Sequence, residues 1–335
     1  MQNEVSVVAS RDGRVGRIRL NRPQALNALD LEMIRACARA LESWREDPHV
    51  HAVVIEGTGD RAFCAGGDIR AVRKFHLEGR SDRAEAFFSE EYALNYTIAT
   101  YPKPYIALID GICMGGGIGV SVHGAYRVAT EHALFAMPET GIGFFPDIGA
   151  TYVLPRLPGQ LGVYLALSGT RMQGADGVHA GLATHFTPRA MVATLSRELA
   201  EDGPAALARH AAPLPPFSLA PHRGAIDRCF GADNMTEIMR RLEEDGSAFA
   251  RQTAETLRRM SPSSLEWSLK LLRLGEDRTL RQCLDAELRA TRTITPYREF
   301  IEGVRAMVVD KDRQPKWQPA RIEDVDPKEI DALLS

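Results

Sequence analysis

The chain has no long apolar run, little net charge and few cysteines, and each lack removes a class of protein. No apolar stretch reaches the roughly 20 residues that span a bilayer as a helix, so no membrane partner is expected. The first ten residues, MQNEVSVVAS, lack the basic, apolar and small-residue order of a secretory leader. They also lack the Arg-rich, acid-poor pattern of a transit peptide. A formal net charge of -3 and dispersed arginines give no electrostatic footprint for nucleic acid. The cysteines, Cys37, Cys64, Cys113, Cys229 and Cys283, are odd in number and widely spaced, without a Cys-x-x-Cys pair. They read as reduced thiols in a cytoplasmic-type compartment. His49 and His51 have no third ligand nearby and read as a solvated loop rather than a metal pair, so no metal is expected.

Two common catalytic motifs are missing as well. Around Gly115 and Gly117 the third glycine of a dinucleotide fingerprint is replaced by Val120, and no Gly-Lys-Ser/Thr follows any glycine run. In Gly119-Val-Ser121-Val-His123 a histidine stands where the last glycine of a serine-hydrolase elbow belongs. With 335 residues, 44% hydrophobic and 25% charged, what is left is an ordinary globular chain long enough for one large or two moderate domains.

The richest segment is Phe135-Ala-Met-Pro-Glu-Thr-Gly-Ile-Gly-Phe-Phe-Pro-Asp147, which sets Glu139 and Asp147 in a loop of Phe, Met, Ile, Gly and Pro. Loss of water raises a carboxylate's pKa or forces it to find a partner, and such groups cluster at active sites. The plainer alternative is a Pro-Glu pair that only starts and caps a helix. Around this loop, Val5–Ala9 and Gly16–Leu20 read as a hairpin through Arg11-Asp12-Gly13. Asp30 should cap a helix carrying Leu31, Ile34, Ala38 and Leu41, and Ala52–Ile55 and Tyr105–Ile109 read as buried strands. Each strand leads to a glycine segment and then a helix, which argues an α/β fold. Beyond Pro213-Leu-Pro-Pro216 the apolar spacing turns helical, at Met235, Ile238, Met239 and Leu242 and again over 265–274 and 280–288. The expected organisation is a catalytic core over 1–205 and a helical region over 206–335.

Glycines let a backbone approach a ligand, and a helix starting there aims unpaired N–H groups at an oxygen. Two such groups from separate turns make an oxyanion hole. Tight helix–strand packing would explain one of the two glycine segments, Phe63-Cys-Ala-Gly-Gly-Asp68 and Met114-Gly-Gly-Gly117, more easily than both.

Leu20-Asn-Arg-Pro23 with Asn27-Ala-Leu29, Ala62-Phe-Cys-Ala-Gly-Gly-Asp-Ile69, Met114-Gly-Gly-Gly117 and Met137-Pro-Glu139 together resemble the crotonase (enoyl-CoA hydratase/isomerase) superfamily over roughly residues 5 to 200. Within it, Glu90-Glu-Tyr92, Ser121-Val-His-Gly124, Phe145-Pro-Asp147, Leu154-Pro-Arg-Leu157 and the tail from Glu302-Gly-Val-Arg305 to Pro315-Lys-Trp317 resemble the 3-hydroxyisobutyryl-CoA hydrolase branch. The resemblance implies a spiral of repeated ββα units with a helical C-terminal region, and a thioesterase of the valine-catabolism type. Coenzyme A would arrive as part of the substrate with no further cofactor, and the chain would form a trimer or hexamer. It implies carbonyl donors at the Gly67 and Gly116 N–H groups, acid chemistry at Glu139 and a second acid at Asp147. Substrate contacts would fall at Glu91, Asn27, Ala28, Ala65, Gly66, Asp68 and Ile69. Seen without the resemblance, Glu91 fits an ordinary amphipathic helix equally well. His123, Cys113 and Cys64 read as core side chains.

One departure from the hydratase pattern narrows the chemistry. Hydratases of the superfamily place a second glutamate two residues after the glycine run, and here that position is Gly119. Water addition needs two acids around one water, so acyl transfer is the better reading. Enoyl-CoA hydration or isomerisation is the alternative, followed by a non-catalytic or RNA-binding member.

Overall fold

Short apolar runs, continuous or alternating, form ten strands among the described residues. The computed structural model describes residues 5–334, so the first four residues of the segment read for a leader lie outside it. Contacts divide the chain into two units that interleave along the sequence. The first holds residues through Asp68, Glu90–Phe135 and Arg171–Phe217; the second holds Ile69–Ser89, Ala136–Thr170 and everything from Ser218 on.

In the first unit, β1 (Val7–Asp12) and β2 (Val15–Leu20) form the expected hairpin, with Val7 opposite Leu20 and Asp12 opposite Val15. β3 (Ala52–Gly57), β5 (Tyr105–Ile109), β7 (Tyr126–Ala129) and β10 (His185–Phe186) extend it as parallel neighbours, in the order β1-β2-β3-β5-β7-β10. β4 (Ala62–Cys64), β6 (Ile112–Met114), β8 (Leu134–Ala136) and β9 (Met172–Gln173) form a second sheet in that order. One face of the large sheet presents Val15, Ala52, Val54, Ile106, Leu108 and Val128 to Leu195 and Leu199 of the helix Arg189–Asp202. Asp30 caps the helix Leu31–Arg45 as expected, its Oδ1 accepting from Met33 N at 2.9 Å. The buried stripe is Met33, Ile34, Cys37, Ala40, Leu41 and Trp44, so Leu31 and Ala38 sit at its margin rather than in it. All five cysteines are buried and free.

The second unit is helical because its sequence repeats a cap followed by a 3.6-residue apolar stripe. Asn234, Ser247, Ser261 and Thr279 each accept a backbone N–H two or three residues into the helices Met235–Asp245, Ala248–Leu257, Pro262–Gly275 and Leu280–Ile294. Thr279 and Gln282 form a reciprocal capping box. The tail runs on through Arg298–Val304 and a π turn at Arg305–Val309, and Trp317 Nε1 donates to Arg259 O at 3.1 Å. A final helix, Pro327–Leu334, follows the point where sequence reading placed the last docked segment.

The glycines differ in what they protect. A Cβ on Gly117 would overlap the carbonyl of Cys64 in the neighbouring strand, whereas one on Gly224, in the helix Arg223–Phe230, would meet nothing within 4 Å. Gly117→Ala is therefore expected to lower stability by about 1–3 kcal/mol. Gly224→Ala should raise it by about 0.4–1 kcal/mol. Urea unfolding midpoints of the two variants check this, and equal midpoints would refute it.

Candidate active site

In the first unit, β4 and β6 pair in parallel with Cys64 opposite Cys113, so the glycine segments that follow them leave the sheet side by side. Gly66 turns at φ +117°, a conformation that favours glycine, and a Cβ there would lie 3.3 Å from Met114 O. A Cβ on Gly116 would lie 3.1 Å from Gly67 N and 2.5 Å from Glu91 Oε1. The two loop backbones thus touch, and glycine at 116 is what lets Glu91 come so close. Around them, Ala65 N donates to Leu26 O, Leu29 N to Gly66 O, and Asp68 N to Leu29 O. Among the described residues, neither the Gly67 nor the Gly116 N–H has a protein acceptor. Two unspent donors on adjacent turns are the local requirement for holding a carbonyl oxygen.

Glu91 is 2% exposed and faces the glycines, while its neighbour Glu90 points outward to Arg35 with two bonds of 2.7 Å. The amphipathic-helix explanation therefore fits Glu90 and not Glu91. Asn27 is fully buried, with its amide donating to Thr58 O at 2.9 Å and Ala62 O at 2.8 Å and accepting from Arg22 N at 2.9 Å. That side chain braces the loops, and its own backbone N–H donates to Arg22 O at 2.9 Å. Asp68 pairs with Arg22 at 3.1 Å. Ala28 and Ala65 are half-buried on the same loops. Ile69 opens the helix Ile69–Leu77 of the second unit. Gly119 lies buried in the helix Gly116–Val122, and Cys113 and Cys64 are fully buried core residues. His123 is half-buried at that helix's end. His49 and His51 are exposed, and His51 Nε2 bonds Pro48 O at 3.1 Å.

The acid loop belongs to the second unit. Glu139 begins the 3-10 turn Glu139–Ile142, and its carboxyl meets its own backbone N–H there, so capping accounts for one of its oxygens and leaves the other unexplained. It is 6% exposed and its Oε2 has no hydrogen-bond partner. Burial above all, and then the charge of Asp147, push its carboxyl well above the usual carboxylate range. Asp147 is 5% exposed.

Helices later in the chain hold this loop. Thr140 Oγ1 donates to Leu167 O at 3.0 Å, and Ser261 N donates to Thr140 O at 3.1 Å. The Phe144 carbonyl accepts from Ser264 Oγ and from Trp267 Nε1, the latter at 3.2 Å. Beyond Asp147, Glu287 accepts from Gly149 N at 2.7 Å, Thr151 N at 3.1 Å and Thr151 Oγ1 at 2.6 Å. Glu299, 1% exposed, accepts from Ser261 Oγ and from Gln318 N at 2.8 Å. Sequence reading missed Glu287 and Glu299. The signal for Glu287 was available: it falls on the mostly apolar stripe Cys283, Leu284, Ala290 and Ile294 of its helix.

Comparison with known proteins adds to the geometry. Residues 15–334 match the family described as enoyl-CoA hydratase/isomerase. A Danio rerio protein named "3-hydroxyisobutyryl-CoA hydrolase, mitochondrial" is 45% identical over 98% of this chain and 89% of its own length. A solved carnitinyl-CoA dehydratase from Mycobacterium thermoresistibile superposes with a TM-score of 0.95 at 37% identity, covering 99% of this chain and 97% of that one. An enoyl-CoA hydratase from Rhodobacter sphaeroides 2.4.1 gives 0.93 at 39% identity with the same coverage. The fold is therefore of the crotonase type, as expected. Among the described residues no helix is long and apolar enough to cross a membrane. The word mitochondrial in the relative's name leaves the expected cytoplasmic location without support.

The Glu139 environment has a thermodynamic sign. A carboxyl whose folded pKa is raised binds more protons folded than unfolded between the ordinary carboxylate pKa and the raised value, so its contribution to stability falls as pH rises through that window. Glu139→Gln should remove the loss, giving a melting temperature above wild type at neutral pH and a difference that shrinks toward pH 4. Thermal melts of both proteins from pH 4 to 8 test this; a variant that melts lower at neutral pH would contradict it.

Proposed function

Because the chain belongs to the enoyl-CoA hydratase/isomerase family, we propose that it hydrolyses 3-hydroxyisobutyryl-CoA or a closely similar 3-hydroxyacyl-CoA. The observation that carries this reading is the placement of its acids. Glu139 and Asp147 share one dry loop, while Gly119 occupies the position where hydratases of the family carry a second glutamate. The hydrolase name of the Danio rerio relative supports it. The dehydratase and hydratase names of the solved structures come with nearly the same backbone, so backbone likeness does not choose between the chemistries.

In the proposed reaction the Gly67 and Gly116 N–H groups donate to the thioester oxygen as negative charge develops on it. Loss of one such donor typically costs about 10²- to 10³-fold in rate. Glu139 supplies the electron pair, either attacking the carbonyl carbon directly or taking a proton from the water that attacks it. The C–S bond breaks, the sulfur leaves as coenzyme A thiol with one proton from water, and the hydroxyl of that water ends in the acid product. A raised pKa suits Glu139 to this task, since a weakly basic carboxylate would remove a proton poorly. Asp147 accepts from the 3-hydroxyl of the acyl group. Glu91, with the backbone of residues 65–69 and 27–28, lines the thioester and coenzyme A.

No cofactor beyond the coenzyme A of the substrate enters this scheme. Assembly as a trimer or a pair of trimers belongs to the same proposal and is read by light scattering. The five free thiols fit a reducing compartment, cytosol or organelle matrix.

Incubation with 3-hydroxyisobutyryl-CoA and crotonyl-CoA tests the reading by thiol release and loss of enoyl absorbance. Thiol release from the first without hydration of the second is expected, and hydration without thiol release would replace hydrolysis by the hydratase alternative. Glu139→Gln should abolish turnover while leaving coenzyme A ester binding near wild type, and retained hydrolysis would remove Glu139 from the mechanism.

A further inference from the structure

The backbone immediately after Asp147 is strained in a way the rest of the loop is not. Ile148 has φ +59° and Gly149 φ +79°, two consecutive left-handed residues, and the first is β-branched. Isoleucine in that region is a true outlier that costs about 1–3 kcal/mol, and it persists only where its surroundings over-determine it. The short helix Ala150–Val153 begins at once, with no side-chain cap of its own. Ala150 N donates back to the backbone carbonyl of Asp147 at 2.9 Å, so this helix start is tied to the main chain that carries the acid.

What over-determines the turn comes from far along the chain. Glu287, fully buried in the helix Leu280–Ile294, places one carboxyl oxygen on Gly149 N at 2.7 Å and the other on Thr151 N and Oγ1 at 3.1 and 2.6 Å. The helix Pro262–Gly275 closes the other side, since a Cβ on Gly275 would overlap Thr151 O. Three donors on one buried carboxyl are a specific arrangement, and they hold the residues on the C-terminal side of the left-handed Ile148 in place. A buried acid is an expensive choice for a structural peg. Desolvation above all raises the Glu287 carboxyl, the three donors oppose it and the charge of Asp147 adds to it, and together they leave it pushed up to about 8.

We propose that Glu287 is a positioning residue for substrate selection: by holding Gly149 and Thr151 it fixes the turn at Ile148, and through it the direction of the Asp147 carboxyl. The role rests on the reading of Asp147 as acceptor of the substrate's 3-hydroxyl. A hydrogen-bonding site discriminates strongly against a substrate lacking the bonding group only while its own polar group is held in place. Glu287 acts through that geometry and touches no substrate itself. Glutamine at 287 retains one acceptor, for Thr151, and turns a second N–H toward the N–H of Gly149, where two donors repel. Valine at 151 removes the hydroxyl donor and leaves both backbone bonds, a milder version of the same disturbance.

The test is the ratio of kcat/KM for 3-hydroxyisobutyryl-CoA to that for isobutyryl-CoA, measured for wild type, Glu287→Gln, Thr151→Val and Asp147→Asn, with circular dichroism confirming folding. A loss confined to overall stability would lower both substrates together and leave the ratio alone. The expected result is a fall of about tenfold or more for Glu287→Gln, a smaller fall for Thr151→Val, and a fall at least as large for Asp147→Asn. If Asp147→Asn lowers the ratio and neither of the other two does, the role of Glu287 is overturned while the reading of Asp147 stands. If Asp147→Asn leaves the ratio unchanged, the hydroxyl reading falls and the role of Glu287 falls with it. Should Glu287→Gln fail to fold, Thr151→Val decides: a ratio equal to wild type overturns the proposal.

Discussion

A carboxyl group kept out of water with another acid as its neighbour and an unpartnered oxygen is the constraint to which the second unit is built. An ionised carboxylate in a dry site costs several kcal/mol unless something compensates it. Glu139 has no cationic group among the causes of its shifted pKa; they are burial and Asp147, opposed only by its own backbone N–H. A guanidinium at that point would remove the penalty and also remove the basicity. The chain has arginines to spare, and it places them elsewhere. Arg35 pairs with Glu90, Arg305 with Glu302, Asp310 and Asp312, and Arg240 with Glu237 and Glu244.

A loop that gains nothing from its own charges has to be held by other bonds. The acid segment is fixed through its backbone: Thr140 by Ser261, Phe144 by Ser264 and Trp267, Gly149 and Thr151 by Glu287. Apolar packing adds to this. Phe144 lies 4.5 Å from Phe145, 5.7 Å from Phe88 and 5.5 Å from Phe300, centroid to centroid. The first unit solves a complementary problem mainly with its backbone. Its donors are backbone N–H groups left unspent by adjacent turns, which need glycine at 116 because any Cβ would crowd Gly67 and Glu91. The first unit therefore carries oriented dipoles with Glu91 beside them, and the second carries Glu139 and Asp147; an acyl transfer needs both kinds of group.

How far the sequence discloses this depends on the range of each interaction. The strands Ala52–Gly57 and Tyr105–Ile109, the Asp30 cap and the glycine segments are local patterns, and they stand where apolar runs and caps put them. The acids Glu139 and Asp147 were conspicuous because apolar residues surround them in the chain as well as in space. Glu287 was not, since it lies 138 residues from Gly149, and a charged residue inside a helix usually means only a solvated face. Its place on the buried stripe of Leu280–Ile294 was the one local sign. Short strands such as Met172–Gln173 and His185–Phe186 left no periodic trace because two residues cannot show a period. The Leu31 helix shows the smaller error, in which the right element is drawn with its face rotated, because Leu31 and Ala38 are apolar yet lie outside the stripe set by Met33, Cys37 and Trp44.

The same physics limits what the acid loop can select. A hydrophobic pocket separates substrates that differ by one methylene by only about 1–3 kcal/mol, whereas a site built to bond a hydroxyl can reject its absence by about 10⁴- to 10⁵-fold. On the proposed reading, with Asp147 as acceptor of the 3-hydroxyl in a loop otherwise rich in Phe, Ile, Gly and Pro, the discriminating contact would fall to the hydroxyl and the methyl branch would count for less. A site of that chemistry would select a class, 3-hydroxyacyl thioesters, more sharply than it selects a member. On that argument 3-hydroxypropionyl and 3-hydroxyisobutyryl thioesters stand close together as substrates, and a thioester without the hydroxyl stands well apart from both.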